Sequence, residues 1–454
     1  MPDRKIPAKD APNVVTILFD DTGFSHFGCY GSTIETPNID RLANNGLLYN
    51  NFHTTALCSP TRASLLTGRN HHTVGMRGLS NFDTGFPNCT GSISKNAATL
   101  AEMLGPQGYA TFATGKWHVT PMDETSGAGP FDQWPLARGF NRYYGFLQGE
   151  TNQFYPELYY DNHPVDQPKS YEEGYHVTED IIDKSIEFVR DQKSLVPEKP
   201  FFLYFPLTAP HKPVSPSEKF IGISGKGLYG DFVTQIDWTA GEIFNLLEEL
   251  NIDENTLVIF ASDNGSAMYR IDSGNEPDHV TDETLAYYNA SNHKANSLLR
   301  GIKGDTYEGG HRVPFIVRWP AKISVGKKVD ETICLTDIFE TIVELTGGVK
   351  PKGNAEDSYS FFSIITGEKE YVNRPPVIHH SGGKGMFAIR KENWKMILGD
   401  GSGARTKPVG TPFQKPYQLY DIENDLTESD NLIDKEIEVA AKLEAEFLEI
   451  KGDD

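Results

Sequence analysis

Short apolar runs alternate with longer amphipathic ones through the first three quarters of the chain. Residues 14–19, 109–114, 201–205 and 257–261 are apolar stretches dominated by β-branched and aromatic side chains. Strands that are apolar at nearly every position, rather than at every second one, have both faces covered, as in a parallel sheet. Residues 313–319 predict a further strand. Helical patterns lie between them. One opens at Thr36-Pro37, with Pro in its first turn. One runs from Cys58 through Pro60 to Leu66 and stops before Gly68. Others cover 99–104 and, at greater length, 231–250. Strand alternating with helix predicts an α/β domain around a mostly parallel central sheet flanked by helices. Residues 119–175, rich in Gly, Pro and Tyr, and the polar stretch 266–299 read as loops carried on that scaffold.

The pattern changes near residue 375. Short strand-like pieces follow at 377–380, 386–390, 394–398 and 417–422. A last helix carries a stripe of Ile433, Ile437, Ala440, Leu443 and Phe447, spaced to share one face. These features predict a division into residues 1–374, an α/β domain, and residues 375–454, a smaller antiparallel sheet with a packed helix.

Composition narrows the function. At about 150 residues per domain, two to three units are expected, and 454 residues with 38% hydrophobic and 23% charged composition describe a globular chain. The net charge of −21 argues against nucleic acid and against anionic membrane surfaces as partners. It leaves room for an anionic substrate, because a few bases can be focused in one pocket. No run approaches the ~18 apolar residues of a membrane span, and the first residues are polar with no leader-like apolar core. A soluble protein is expected, and one secreted after losing a leader would show the same pattern. Cys29, Cys58, Cys89 and Cys334 are far apart and lack metal-ligand spacing, so neither a disulfide framework nor a thiolate–metal site is expected.

Candidate chemistry gathers at strand ends, where ligands of open α/β sheets bind. Two strands end in Asp20-Asp21 and in Asp263-Asn264. Each pair alone also suits a turn or a helix cap. Side by side they form an all-oxygen set for a hard divalent cation, Ca²⁺ or Mg²⁺. Cys58-Ser59-Pro60-Thr61-Arg62 sits at a helix N-terminus, where anions are favoured. Cys58 there is either an activated nucleophile or a small buried hydrophobe. Lys116 and His118 follow one strand, His211 follows another, and Lys303 lies in a Gly-flanked loop. Singly each reads as a surface base. Together they suit a tetrahedral oxyanion, sulfate or phosphate.

The pentad at 58–62, followed by Ala63-Ser64-Leu65-Leu66-Thr67-Gly68-Arg69, resembles the C-x-P-x-R signature of the type I sulfatases. The resemblance extends in order through 13–21, 36–38, 115–118, 209–211, 262–265, 308–320 and 388–394, nearly the whole chain. It implies an alkaline-phosphatase-like fold and a sulfuric ester hydrolase. It also implies that Cys58 is converted to formylglycine by a maturation enzyme. The hydrated aldehyde would attack sulfur with one hydroxyl and expel sulfate with the other, which is covalent catalysis with its own exit. Asp20, Asp21, Asp263 and Asn264 would hold Ca²⁺, with Mg²⁺ as second choice, and Asp263 is also placed to activate the diol. Arg62 would steady the formylglycine hydroxylate, Lys116 would bridge it to sulfate, and His118 would take a proton during sulfate release. His211 and Lys303 would bind sulfate oxygens and assist the leaving alcohol.

The substrate implied is a sulfated carbohydrate or other small sulfate ester such as an aryl sulfate. Trp134, Tyr143, Tyr144, Tyr155, Tyr159 and Tyr160 either stack on a sugar or aryl ring or pack the long loops. His379 and His380 are candidates to reach the pocket from the C-terminal unit. The segment around His311 reads as structural. Three other readings are open: a phosphate or phosphonate ester hydrolase of the same superfamily, an inactive binding homologue, and a thiol hydrolase pairing Cys58 with His118. The last leaves the four oxygen ligands unexplained.

Overall fold

A computed structural model describes residues 7–8, 10–267, 295–323, 326–350 and 352–451. Most of the expected loop at 266–299 lies outside the described residues. The first elements are β1 (Asn13–Phe19), α1 (Pro37–Asn44), β2 (Leu47–Tyr49), β3 (Phe52–His53), α2 (Cys58–Thr67), α3 (Leu100–Leu104) and β4 (Ala110–Lys116). Next come β5 (Arg142–Phe146), β6 (Leu158–Tyr160), β7 (His163–Val165), α4 (Val177–Leu195), β8 (Phe201–Pro206), α5 (Gly227–Glu249) and β9 (Thr256–Ser262). Then follow α6 (Glu308–His311), β10 (Phe315–Arg318), β11 (Lys327–Val329), β12 (Ile333–Cys334), α7 (Asp337–Leu345) and α8 (Phe362–Ile365). The last are β13 (Val377–His380), β14 (Phe387–Lys391), β15 (Trp394–Ile397), β16 (Gln418–Asp421) and α9 (Ile437–Lys451).

The central sheet has ten strands in the order β11-β2-β10-β9-β1-β8-β4-β5-β6-β7. Its middle, β9-β1-β8-β4-β5, is parallel throughout. The continuous apolar runs are explained by two cores. In β1, Val14 and Leu18 face one core while Val15, Ile17 and Phe19 face the other, and β8 and β9 alternate in the same way. Side chains of α2, α3 and α7 close the first core, and those of α1, α4 and α5 close the second. Burying both faces of a strand this way stabilises it by roughly 1.5–3 kcal/mol per large apolar side chain.

The 119–175 region departs from the expectation of loops alone. It contributes β5, β6 and β7, which extend the sheet beyond β4. Gly145 makes this possible: at φ +153 it lies so close to β4 that a Cβ would stand 2.0 Å from the carbonyl oxygen of Gly115.

The C-terminal unit is an antiparallel sheet in the order β13-β14-β15-β16. One face packs on α9 through Leu443 and Phe447. The other gathers Met386, Ala388, Ile397, Tyr420 and Ile422 around Tyr307 of the larger domain. The predicted helical stripe needs one correction. Ile437 is 68% exposed at the first turn of α9, and Ile433 precedes the helix. No helix among the described residues is long and apolar enough to cross a membrane.

Candidate active site

The strand order dictates the site. Along the carboxyl ends of β9, β1, β8 and β4 the chain presents, in turn, Asp263-Asn264, Asp20-Asp21, the His211 loop and Lys116. The register pairs Phe19 with Ser262, so the two acidic pairs leave adjacent strands side by side. Asp21 then turns with φ +60, a left-handed conformation that Asp tolerates better than most residues. Its N–H donates to Asp263 Oδ1 at 3.2 Å, and its Oδ1 accepts from Asn264 Nδ2 at 2.7 Å.

Helix α2 approaches from the other side. Its N-terminus at Leu57 has extended backbone and no side-chain cap, and Gly68 closes it at φ +63. Pro60 in the first turn costs no hydrogen bond, because that turn's N–H groups have no intrahelical acceptor. Every residue of α2 is buried. The first turn sets Cys58 Sγ 3.4 Å from Asp20 Oδ1 and 3.2 Å from Lys303 Nζ. One turn on, Arg62 donates from Nη2 to Asp263 Oδ2 at 3.0 Å and from Nη1 to the Lys116 carbonyl at 2.8 Å. Lys116 Nζ pairs with Asp20 Oδ2. Lys303 Nζ lies 2.5 Å from Asp21 Oδ1. His211 turns Nε2 toward Asp21 Oδ2 at 3.7 Å while its Nδ1–H donates to the Lys212 carbonyl at 2.7 Å.

Electrostatics follow from this packing. Burial opposes ionisation of Asp20 and Asp21, but Lys116 beside the first and Lys303 beside the second hold both below the usual carboxylate range. Asp263 goes the other way: burial, then the neighbouring Asp20 charge, push it up to about 7. Burial and the nearby Lys303 push His211 down to about 4, so its ring is neutral near pH 7. Burial, with Asp20 and Asp263 adding to it, drives the Cys58 thiol well above its ordinary range.

Asp20, Asp21, Cys58 and His211 each offer a ligand atom within 4.8 Å of one another. Asp263 and Asn264 adjoin them, and Asn264 Oδ1 is buried with no hydrogen-bond partner. An acceptor-only oxygen left unpaired beside three carboxylates is a cation's complement, and an all-oxygen donor set suits Ca²⁺. The residues therefore fit the ion.

The ten residues expected from the sequence to hold the cation or act on the sulfate all lie at this one place. His118 stands slightly apart. It is held at φ +52 on the wall of a cleft of about 800 Å³ that opens over Cys58. Its Nε2 meets Asn81 Oδ1 at 2.8 Å, and its Nδ1 has no partner. Cys58 bonds to Asp20 and Lys303 rather than to His118, so the geometry lends no pairing to a Cys58–His118 thiol mechanism.

Two expectations about the cleft change. Of the six aromatics, Tyr155 and Tyr159 line it. Trp134 packs edge-on against Tyr159 at 4.9 Å, and Tyr143 and Tyr144 are buried in the two cores. His379 and His380 do not line it either. Alternation along β13 sends them to opposite faces, where both are buried. His379 stacks on His311 with ring centroids 3.7 Å apart, and His380 packs against His71 and Phe387. The residue that the C-terminal unit does bring to the cleft is Arg405. Nothing in the Gly-Ser-Gly-Ala-Arg stretch distinguishes Arg405 in sequence, and the same holds for Asn81.

With this geometry in view, comparison with known proteins is unambiguous. The Sulfatase family model matches residues 12–349, and a model described as N-sulphoglucosamine sulphohydrolase, C-terminal, matches 302–453. The N-acetylgalactosamine-6-O-sulfatase of Bacteroides thetaiotaomicron is 32% identical, over 96% of this chain and 92% of that protein. The N-acetylgalactosamine-6-sulfatase of Canis lupus familiaris is 32% identical, over 86% of this chain and 72% of that protein. A solved structure from work on the metabolism of multiple glycosaminoglycans by Bacteroides thetaiotaomicron superposes with a TM-score of 0.78 at 27% identity, covering 97% of this chain and 99% of that one. The convergence of acids, bases and Cys58 at the strand ends is thus that of a known reaction, and the chain belongs to the formylglycine-dependent sulfatases, as a sulfuric ester hydrolase.

Proposed function

We propose that the enzyme removes a sulfate group from a sulfated carbohydrate, with the ten residues above as its machinery. The observation that carries this reading is the pairing of an unsatisfied cation site, marked by Asn264 Oδ1, with Cys58 at the floor of an open cleft. Polar side chains on the cleft wall (Asn81, Thr125, Gln148, Asn152) and the rings of Tyr155 and Tyr159 suit a sugar, whose faces are apolar and whose edges bear hydroxyls. The relatives named for N-acetylgalactosamine 6-sulfate support the same class.

Asp20, Asp21, Asp263 and Asn264 hold Ca²⁺, which when bound supplies Lewis-acid polarisation of a sulfate oxygen. Formylglycine at position 58 supplies a nucleophilic hydroxyl and a route for releasing sulfate. Around them, Lys303 and Lys116 place positive charge against the sulfate oxygens, where it counts most in a water-poor site. Arg62 orients Asp263 and closes the site from below. His211, whose Nδ1–H is held by the Lys212 carbonyl, turns Nε2 inward and donates to a sulfate oxygen when that atom takes up a proton. His118, also neutral because burial and the nearby Lys116 and Arg62 charges keep it well below the usual histidine value, accepts a proton during sulfate release.

The catalytic domain ends at residue 374 in this reading. Arg374 is tied to Asp337 of α7 at 3.2 Å, while β13 opens the C-terminal sheet at Val377.

The test joins two measurements on protein made in a host with formylglycine-generating machinery. Mass spectrometry of the Cys58 peptide is expected to show aldehyde in place of thiol. Ion chromatography is expected to show sulfate released from a sulfated hexosamine. Phosphate released faster from matched phosphate esters would overturn the reading in favour of the phosphatase.

A further inference from the structure

Among the described residues the His118 ring has one hydrogen-bond partner, Asn81. His118 is buried and held at φ +52, and its backbone N–H donates to the Leu147 carbonyl at 3.1 Å. Its Nε2 lies 2.8 Å from Asn81 Oδ1, and so close to Gly149 that an added Cβ there would stand 2.6 Å away. Its Nδ1 is buried without a partner. An amide oxygen accepts and cannot donate, and a neutral imidazole carries a single N–H. The bond to Asn81 therefore puts the proton on Nε2 and leaves Nδ1 with a bare lone pair. A buried acceptor without a donor is costly, and at the wall of an active site it is ready to receive a proton. Asn81 is tied in turn to the pentad. Ser80, just before it, donates its N–H to Ser59 Oγ of α2 at 3.1 Å, and both serines are buried. The first turn of α2 thus sets Cys58 directly and, through Ser80 and Asn81, the ring of His118.

We propose that Asn81 is a positioning residue: it holds His118 as the Nε2–H tautomer, so that Nδ1 is the atom that accepts the proton during sulfate release. This rests on the sulfatase reading above. When Nδ1 takes the proton the ring becomes a cation, and its Nε2–H···Oδ1 bond gains strength, as bonds from charged donors do. The gain arises as the proton moves and not as substrate binds, so it enters kcat rather than KM. The logic is that by which a carboxylate orients the histidine of a serine protease, here with a neutral amide. Asn81 also lines the cleft, so the rival role is a simple sugar contact. The two roles differ in which kinetic constant they move, and only one of them sets a tautomer.

Two measurements test this. Long-range ¹H–¹⁵N correlation reads the His118 tautomer in Cys58→Ala protein with calcium added, which needs no aldehyde. Loss of the signal on adding His118→Asn assigns it. The Nε2–H pattern is expected, and Asn81→Ala is expected to turn it into a mixture of tautomers. A proton on Nδ1, or a pattern that Asn81→Ala leaves unchanged, overturns the proposal. On the mature enzyme with a sulfated hexosamine, Asn81→Ala is expected to lower kcat by roughly 10- to 100-fold, the usual cost of losing an orienting partner, with KM within about twofold of wild type. Asn81→Asp keeps an acceptor at the same place and is expected to recover most of that loss. A rise in KM at unchanged kcat makes Asn81 a sugar contact and overturns the positioning role, as does an Asn81→Asp variant no faster than Asn81→Ala. If wild type carrying the aldehyde at position 58 releases no sulfate from any sulfated sugar, it is the sulfatase reading that fails, and the tautomer spectra still decide the role of Asn81.

Discussion

The molecule buries two clusters of opposed charges, and they serve different ends. One joins the two units of the chain. Lys395 on β15 lies 3.1 Å from Glu308 and 2.9 Å from Glu428, and Arg390 lies 2.7 Å from Glu308. Burial opposes ionisation of Glu308, yet Arg390 and Lys395 hold it well below the usual carboxylate range. This cluster is closed by protein on every side. The other is the active site. It too balances carboxylates against Lys and Arg, but it opens on a cleft and leaves Asn264 Oδ1 without a partner. Charge balance alone therefore does not mark a site. Access does.

Breaking the open cluster is expected to abolish chemistry and spare the fold. Cys58→Ala should reduce turnover by at least about 10⁴-fold, as removal of a nucleophile does, while circular dichroism stays unchanged. Normal turnover would sink the assignment. Asp263→Ala should lose bound calcium by elemental analysis and at least about 10²-fold in kcat. Calcium bound at full stoichiometry in that variant would count against the ligand set. Chelator treatment of wild type should lower the rate in the same way, and added Ca²⁺ should restore it.

Breaking the closed cluster should do the reverse. Lys395→Met leaves Glu308 and Glu428 as neighbouring buried acids without their shared cation, a change worth about 3–5 kcal/mol of stability. Urea unfolding would show it, and kcat of the folded fraction should stay near wild type. Smaller, taken one histidine at a time, is the effect of pH on the interface. Burial holds His53, His311 and His379 well below the ordinary histidine value of 6.5. Their neutral rings contribute stability that is complete above that value. As pH falls below it, the unfolded chain takes up protons that the folded chain does not, and stability declines by about 1.4 kcal/mol per unit for each such histidine. His379→Gln should flatten that decline in urea midpoints measured from pH 8 to pH 5.

Much of the site was legible in sequence because it sits where local rules end. Asp20, Asp21, Asp263 and Asn264 follow apolar runs that can only be buried strands, and Cys58 opens a helix with a clear Gly stop. What stayed hidden depends on contacts between distant segments. β5 was masked by its Gly and Tyr content, since only the approach to Gly115 shows why Gly145 belongs in a strand. His379 and His380 read as candidates to reach the pocket, yet adjacent residues of a strand point to opposite faces and neither lines the cleft. Arg405 is placed by Asp305, a hundred positions earlier, whose side chain accepts from its N–H, and no local pattern encodes that anchor.

The depth of Cys58 sets an order of events in time. Its side chain is 2% exposed, and α2 around it is buried along its whole length. With α2 packed along its whole length, the 58–62 segment is more open to an oxidising enzyme before the helix docks than after. Conversion is then expected to compete with folding. A substitution that hastens the docking of α2 is expected to yield protein that is more stable and carries less aldehyde at position 58, which unfolding midpoints and peptide mass spectra would show.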